Sequence, residues 1–205
     1  MKVFTYKMDH DIGFAPNPFF ERCTLACCKP SIRNEASVGD YVVGMAGRGM
    51  GPVEGRAVFW MLVSEILTFN DYWNDPRFAR KKPNVNGPKK LKVGDNTYRR
   101  CSRSQEWVQE HSMHYMPGMR VTGRPHIQRD TRIDKVLVSE DFTYWGANGP
   151  VITGAAIRMF RNRDRVAKHP QDEINALWTC LGGTAPRGRV AKPAEWTRSR
   201  YFVEA

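Results

Sequence analysis

Hydrophobic and polar residues alternate over residues 2–8, where β-branched and aromatic side chains fill the apolar positions. This alternation is typical of a half-buried strand. Over residues 9–33 the alternation stops, and one glycine and three prolines exclude a long helix or an inner strand. The pattern therefore predicts a strand that leads into a structured loop with at most one short turn.

Further apolar runs predict the other regular elements. The longest run, residues 56–67, is rich in Val, Phe, Trp and Ile and favours a central strand. Shorter strands are predicted at 41–45, 133–139 and 141–146. Short helices are predicted at 68–75, which Thr68 or Asn70 could cap, and at 171–181, which Gly182 would end.

Two segments have little periodicity. Residues 47–55 are rich in glycine, so weak order is expected there. Residues 77–132 are polar and basic, with strand-like pieces only near 97–98 and 107–108. Few short helices, several strands and long loops together predict one α+β domain over residues 1–205, with a mostly antiparallel sheet.

Composition narrows the class of protein. The formal net charge of +11 attracts polyanions, although the same charge could serve solubility alone. The first eleven residues lack the apolar centre of a signal peptide, and no apolar run is long enough to span a bilayer. Five cysteines, three of them clustered, do not resemble a secreted disulfide framework. A cytoplasmic protein with reduced thiols and no membrane partner is expected.

The segment from His10 to Arg33 carries the first candidate chemistry. His10 beside Asp11 suits proton transfer, but adjacent side chains of an extended chain point to opposite sides, so a dyad is not assured. Lys29 and Arg33 could hold a phosphate, or could be ordinary solvated charges. His10 could equally be a structural residue that binds backbone.

The clustered cysteines have the spacing C-x3-C-C and no second pair of ligands, so no metal site is expected. One of them could be a reactive thiol, because Arg22, Lys29 and Arg33 would favour the thiolate. Packing in the core is the alternative. The glycine-rich segment has neither a phosphate-binding loop nor a dinucleotide fingerprint, so the sequence leaves the cofactor unknown.

The long central loop supplies a second set of candidates. Trp107, His114 and Asp130 lie there, and His111 and His114 would share a helical face without a carboxylate at zinc-protease spacing. Flat rings such as Trp107 and Tyr144 suit stacking on a base, although in a small β domain they could equally be core.

Seven motifs then occur in order between about residue 3 and residue 150: HDIGFAPNPFF, CTLACCKPSIR, VGDYVVG, TFNDYWNDPRF, GDNTYRR, WVQEHSMH and RIDKVLVSEDFTYWG. In this combination the chain resembles the second of the nucleotide modification associated domain families, which occur in bacteria and phages. The motif VGDYVVG also resembles the small β-barrels of the PUA, ASCH and EVE group at the level of fold, which implies a barrel-like sheet. Residues 151–205 add nothing to the likeness and are interpreted as an extension with a short helix.

The family is grouped by its genomic association with DNA-modification systems, so the resemblance implies a role with modified nucleotides and favours DNA over RNA as the partner, with a free nucleotide as the other option. Position by position, the resemblance assigns the polar motif residues to a site: His10, Asp11, Asn17, Cys23, Lys29, Arg33, Asp40, Trp107, His114, Asp130 and Tyr144. Cys27 departs from the expected small hydroxyl residue, which favours Cys23 or Cys28 as the candidate thiol.

Three functions remain open on the sequence. The first is an enzyme, a transferase or hydrolase, with His10, Asp11, His114 and Asp130 as catalytic candidates. In it, Asn17, Lys29, Arg33, Trp107 and Tyr144 would bind the nucleotide in a pocket between the 10–33 and 95–132 loops. The second is a non-catalytic reader of modified bases. The third is a basic subunit of a modification or defence complex.

Overall fold

A computed structural model describes residues 1–112, 124–161, 168–182 and 186–197, with the backbone alone at 124–126 and 197. The strands in these ranges are β1 (Val3–Met8), β2 (Cys23–Leu25), β3 (Tyr41–Ala46), β4 (Ala57–Leu62), β5 (Glu65–Leu67), β6 (Tyr98–Arg100), β7 (Trp107–Gln109), β8 (Val136–Ser139), β9 (Asp141–Tyr144) and β10 (Gly188–Arg189). The α-helices are α1 (Pro30–Glu35), α2 (Phe69–Asn74), α3 (Lys89–Lys92), α4 (Arg124–Thr131) and α5 (Gln171–Leu181).

The strands form two sheets and one hairpin. The larger sheet has the order β1-β3-β4-β9-β10, the smaller sheet the order β2-β8-β5, and β6 pairs with β7. Pairing is antiparallel except between β1 and β3 and between β9 and β10. The mixed α+β class and the antiparallel sheets are thus as predicted, whereas the described strands do not close into a barrel.

The predicted central strand over residues 56–67 is in fact two strands. β4 pairs with β9 in the larger sheet, and after a bend at 63–64 the chain continues as β5, which pairs with β8 in the smaller one. The β8–β9 segment makes the same passage in reverse, with Glu140 between the strands. The two bends place the sheets face to face, which the run of apolar letters cannot reveal.

Three apolar layers result from this arrangement. Phe4 and Tyr6 of β1, together with Leu137 of β8, belong to the core between the two sheets. On the other face of the larger sheet, Trp60 packs with α5 and the 3₁₀ turn Gly154–Phe160. Beyond the smaller sheet, α2 and the β6–β7 hairpin enclose Tyr72 and Tyr98. Loop residues 9–29 therefore lie against the central layers and are not a loose surface segment.

Local sequence signals account for the start of α2 and the end of α5. Thr68 caps α2 by accepting from the backbone N–H of Asp71, and Gly182 ends α5 with a φ of 65°. The loops are more regular than predicted, since the 9–33 region contains β2 and the first residues of α1 and the 77–132 region contains α3 and α4. The glycine-rich segment forms 3₁₀ turns at Arg48–Val53, and a Cβ at Gly49 would lie 2.8 Å from the carbonyl oxygen of Asp9.

Across the described ranges, none of the helices combines the length and the apolar character that crossing a membrane requires.

Candidate functional site

Asp11 is a buried carboxylate where the loop leaves β1. Its Oδ1 accepts from the hydroxyl of Tyr144 and, at 3.3 Å, from the backbone N–H of Gly13, while Oδ2 accepts from the N–H of Ala194 at 2.8 Å. Burial raises the pKa of Asp11 to about 6, although the three hydrogen bonds oppose this shift. A carboxyl group with a pKa near 6 can exchange a proton close to neutral pH.

Tyr6 lies near this carboxylate, and Lys29 lies beside Tyr6. The Nζ of Lys29 is 4.5 Å from the ring centroid of Tyr6, and the Tyr6 hydroxyl is buried without a hydrogen-bond partner among the described residues. Burial raises the pKa of Tyr6 well above 10, and the nearby Cys28, Cys23 and Asp11 add to this effect. We call Tyr6, Asp11, Lys29 and Tyr144 the Asp11 cluster.

His10 points away from Asp11, in keeping with the alternation of an extended chain. Its Nδ1 lies 3.1 Å from Oε1 of Glu195, and its side chain is 59% exposed. The same Oε1 accepts from the backbone N–H of Asp11 at 3.1 Å. Residues 194–196 thus connect both members of the pair, and Glu195 is the carboxylate that orients His10.

Asp130 forms a second buried centre and joins the two predicted loops. Its Oδ1 accepts from the backbone N–H of Cys28 at 3.2 Å and from Nε of Arg129 at 3.0 Å, and its Oδ2 accepts from the hydroxyl of Tyr98 at 3.1 Å. The 10–33 and 95–132 segments therefore meet at Cys28, next to Lys29 of the Asp11 cluster.

The side chain of Arg33 is fully buried and binds backbone carbonyl groups. Its guanidinium donates to four carbonyl oxygens, those of Cys28 at 3.0 Å, Asp130 at 2.7 Å, and Ile133 and Lys135, each at 2.7 Å. These bonds tie the end of the 10–33 loop to the segment that follows α4. The contacts of Arg33 are those of a structural residue, and its predicted phosphate role has no support in them.

The cysteines lie along the same loop. Burial raises the pKa of Cys23 to about 12 and that of Cys28 to about 11, and for Cys28 it outweighs the lowering effect of Arg129, Arg33 and Lys29. Both are therefore neutral thiols at pH 7. No set of three or more His, Cys, Asp or Glu side chains within the described ranges could hold a metal ion.

Asn17 belongs to a separate buried network below the loop. Its side-chain oxygen accepts from Nζ of Lys81 at 2.8 Å, and Lys81 also donates to the hydroxyl of Thr24 at 3.0 Å. Asp95 accepts from Thr24 and from the hydroxyl of Tyr72, both at 2.7 Å. We call these five residues the Lys81 network. Burial lowers the pKa of Lys81 to about 8 and raises that of Asp95 to about 6.

The remaining predicted residues contact other parts of the chain or lie outside the described residues. Trp107 packs edge-on against Phe69 with ring centroids 5.7 Å apart, and the guanidinium of Arg100 lies 4.0 Å from its ring centroid. Asp40 is buried and accepts from the backbone N–H groups of Lys2 and Ser37. His114 lies outside the described residues, so its predicted catalytic role stays a prediction.

Tyr144→Phe is expected to raise the pKa of Asp11 above its value of about 6, because the lost hydrogen bond is one that stabilises the ionised carboxylate. Carbon-13 NMR titration of labelled aspartate carboxyls measures the change. Tyr41→Phe is the matched control, since the Tyr41 ring packs against Trp178 and has no bond to Asp11. An unchanged Asp11 titration in the Tyr144 variant would contradict the hydrogen-bonded pair.

Sequence reasoning missed Tyr6 and Glu195. Tyr6 shares the apolar face of β1 with Phe4 and Met8, and a tyrosine on such a face is a signal because its hydroxyl needs a polar partner. Glu195 lies in a segment with no recognisable motif, and nothing in the sequence pairs it with His10.

Comparison with family models identifies the family of the chain. The family described as nucleotide modification associated domain 2 matches the chain over residues 1–200. This match extends beyond the motif-bearing region, which ends near residue 150, and includes Ala194 and Glu195 of the site. Neither curated proteins nor solved structures give a significant match. Because the family match covers almost the whole chain, the chain belongs to the nucleotide modification associated domain 2 family.

Proposed function

We propose that this protein acts on a nucleotide or a nucleic-acid base at the Asp11 cluster, with Asp11 as the group that accepts the proton. The observation that carries the proposal is the buried Asp11–Tyr144 pair, in which burial raises the pKa of the carboxyl to about 6. Perturbed carboxyl groups of this kind are concentrated at functional sites. Family membership supports nucleotide modification as the context.

The neighbouring residues have complementary roles in this proposal. Tyr6 offers a buried hydroxyl that a polar atom on a base edge would satisfy, and Lys29 offers a half-buried ammonium beside it for a phosphate. His10, held by Glu195, lies on the exposed side, where its imidazole can contact the substrate. Asp11 and Tyr6 are buried, Lys29 is half-buried and the side chain of His10 is exposed. In this proposal the substrate therefore approaches from the side of His10.

The test is nucleoside mass spectrometry on DNA and nucleotide pools from cells that express the protein. Wild type is expected to change at least one nucleoside, and Asp11→Asn to reduce that change by a factor of about 100 or more, the usual contribution of a proton-transfer group. Tyr144→Phe should cause a smaller loss. Asp172→Asn, which changes an exposed aspartate in α5, is the control. Equal nucleoside profiles for wild type and a folded Asp11→Asn variant would overturn the proposal.

The rate should also follow the titration of Asp11. Because Asp11 accepts the proton as a carboxylate, activity is expected to fall about tenfold per pH unit below pH 6 and to level off above it. In Tyr144→Phe the midpoint should move to higher pH, in the same direction as the NMR titration. A profile that is flat from pH 5 to pH 7 would contradict the role given to Asp11.

A further inference from the structure

The backbone at Phe20 has an unusual, left-handed conformation. Phe20 and Glu21 have φ values of 61° and 69°, a left-handed conformation that bulky side chains rarely adopt. The preceding Phe19 turns into the core, whereas the ring of Phe20 stays half-buried at the surface. Strained residues of this kind tend to cluster at binding sites, where the strain fixes a side chain for contact.

Cations gather around this ring. The guanidinium of Arg80 lies 4.4 Å from the centroid of the Phe20 ring and Nζ of Lys90 lies 6.0 Å from it, while Arg189 is 5.6 Å from the centroid of Phe19. These three cations are exposed, and none has a carboxylate partner among the described residues. Arg77, in contrast, is bonded to both Asp75 and Glu65. Within the part of the chain that the structure describes, the two cations beside Phe20 therefore have no carboxylate partner.

The surface is continuous with the candidate site. Phe19 stacks on Trp196 with ring centroids 5.4 Å apart and an interplanar angle of 18°. The indole N–H of Trp196 donates to the carbonyl of Ile12 at 2.9 Å, and the preceding residue, Glu195, holds His10. We call Phe20, Arg80, Lys90, Arg189 and Trp196 the Phe20 surface. A strand of nucleic acid lying on it would continue toward the Asp11 cluster.

We propose that the Phe20 surface binds a single-stranded stretch of nucleic acid, so that the protein acts on a base within a polymer. Half-exposed rings beside cations that have no carboxylate partner among the described residues suit unstacked bases joined by phosphates, because the rings stack on bases while the cations neutralise the backbone. A paired duplex keeps its bases stacked on one another and offers none to Phe20. The binding surface stands on its own geometry, and only the action on a base rests on the proposed function.

The test is fluorescence anisotropy with labelled 12-nucleotide DNA, the matching RNA, and a DNA duplex of the same length. Single strands are expected to bind at least tenfold more tightly than the duplex, and the DNA and RNA arms identify the preferred polymer. Phe20→Ala should weaken binding about tenfold or more, the usual effect of removing one stacking platform. The double variant R80E/K90E should weaken it further and make the plot of log affinity against log salt shallower by about 1.4, or 0.7 for each phosphate contact.

The double variant R161E/K168E makes the same change of charge at two exposed residues outside the Phe20 surface and should bind like wild type. Asp11→Asn should bind the single strand as tightly as wild type. If this variant binds normally but no longer changes the nucleoside profile, the Asp11 cluster has failed while the Phe20 surface has not, so the two proposals are tested separately. Equal affinity of R80E/K90E and R161E/K168E, or tighter binding of the duplex, would overturn the inference.

Discussion

Lys81→Met is expected to lower the free energy of unfolding by about 3–5 kcal/mol at pH 7, the usual cost of removing one partner from a buried charged network. The Nζ of Lys81 donates at 2.8–3.0 Å to the backbone and side-chain oxygens of Asn17, to the carbonyl of Arg22 and to Thr24. In the variant each of these oxygens loses one donor, although the Asn17 oxygens keep the N–H groups of Thr24 and Phe19, and the Asp95 carboxylate loses the positive charge that lowers its pKa. Urea denaturation at several pH values measures the effect.

The deficit of the Lys81 variant should shrink as the pH falls. The pKa of Asp95 in the folded protein, already about 6, rises further without the ammonium, while in the unfolded chain it returns to an ordinary value near 4. The folded state then binds more protons than the unfolded state between these values, so lowering the pH from 8 to 5 stabilises it. In the Lys81→Met variant, adding Asp95→Asn should restore part of the lost free energy of unfolding at pH 7. Lys168→Met, at an exposed lysine, is the control, and an equal loss in both lysine variants would contradict the network.

Arg33→Met is expected to cost about 3 kcal/mol or more, because each buried carbonyl left without a donor costs about 1–3 kcal/mol. Four carbonyls depend on this guanidinium, and they come from the 10–33 loop, from the end of α4 and from the segment before β8. Arg33→Lys should recover less than half of the loss, since a single ammonium cannot reproduce the planar fork of donors. Thermal and urea unfolding measure both variants.

Arg132→Met is the matched control for Arg33, because Arg132 is an exposed arginine on the same segment. Its substitution should change the free energy of unfolding by less than about 0.5 kcal/mol. If Arg33→Met were as stable as this control, the guanidinium would not be needed by the backbone and its predicted phosphate role would regain support.

Elements with local signals could be predicted from the sequence. The alternation of β1, the threonine cap of α2 and the terminal glycine of α5 each encode an element within a few residues. The division of residues 56–67 into β4 and β5 could not be predicted, because the bend between them depends on pairing with β8 and β9, more than 70 residues away.

In the candidate site, too, local features could be predicted and distant contacts could not. The sequence predicts His10 and Asp11 as site residues because it shows a histidine beside a carboxylate at the end of a strand. Their true partners, Glu195 and Tyr144, lie 185 and 133 residues along the chain, and no local pattern encodes such contacts. In the sequence, Lys81 looks like an ordinary solvated charge in a basic loop. It is buried because distant segments of the chain bring several oxygen atoms around its ammonium group.

The hydrogen bonds that join Asp11 to Ala194 and Glu195 have a consequence for biosynthesis. Asp11 is translated before Ala194, and its carboxylate receives the N–H of Ala194 only after 183 further residues have been translated. Until then the carboxylate lacks one of its three donors, and His10 lacks Glu195. A nascent chain interrupted before residue 194 can contain every motif of the 10–33 loop and still be without the assembled centre, so the centre is completed only in chains that have passed this point.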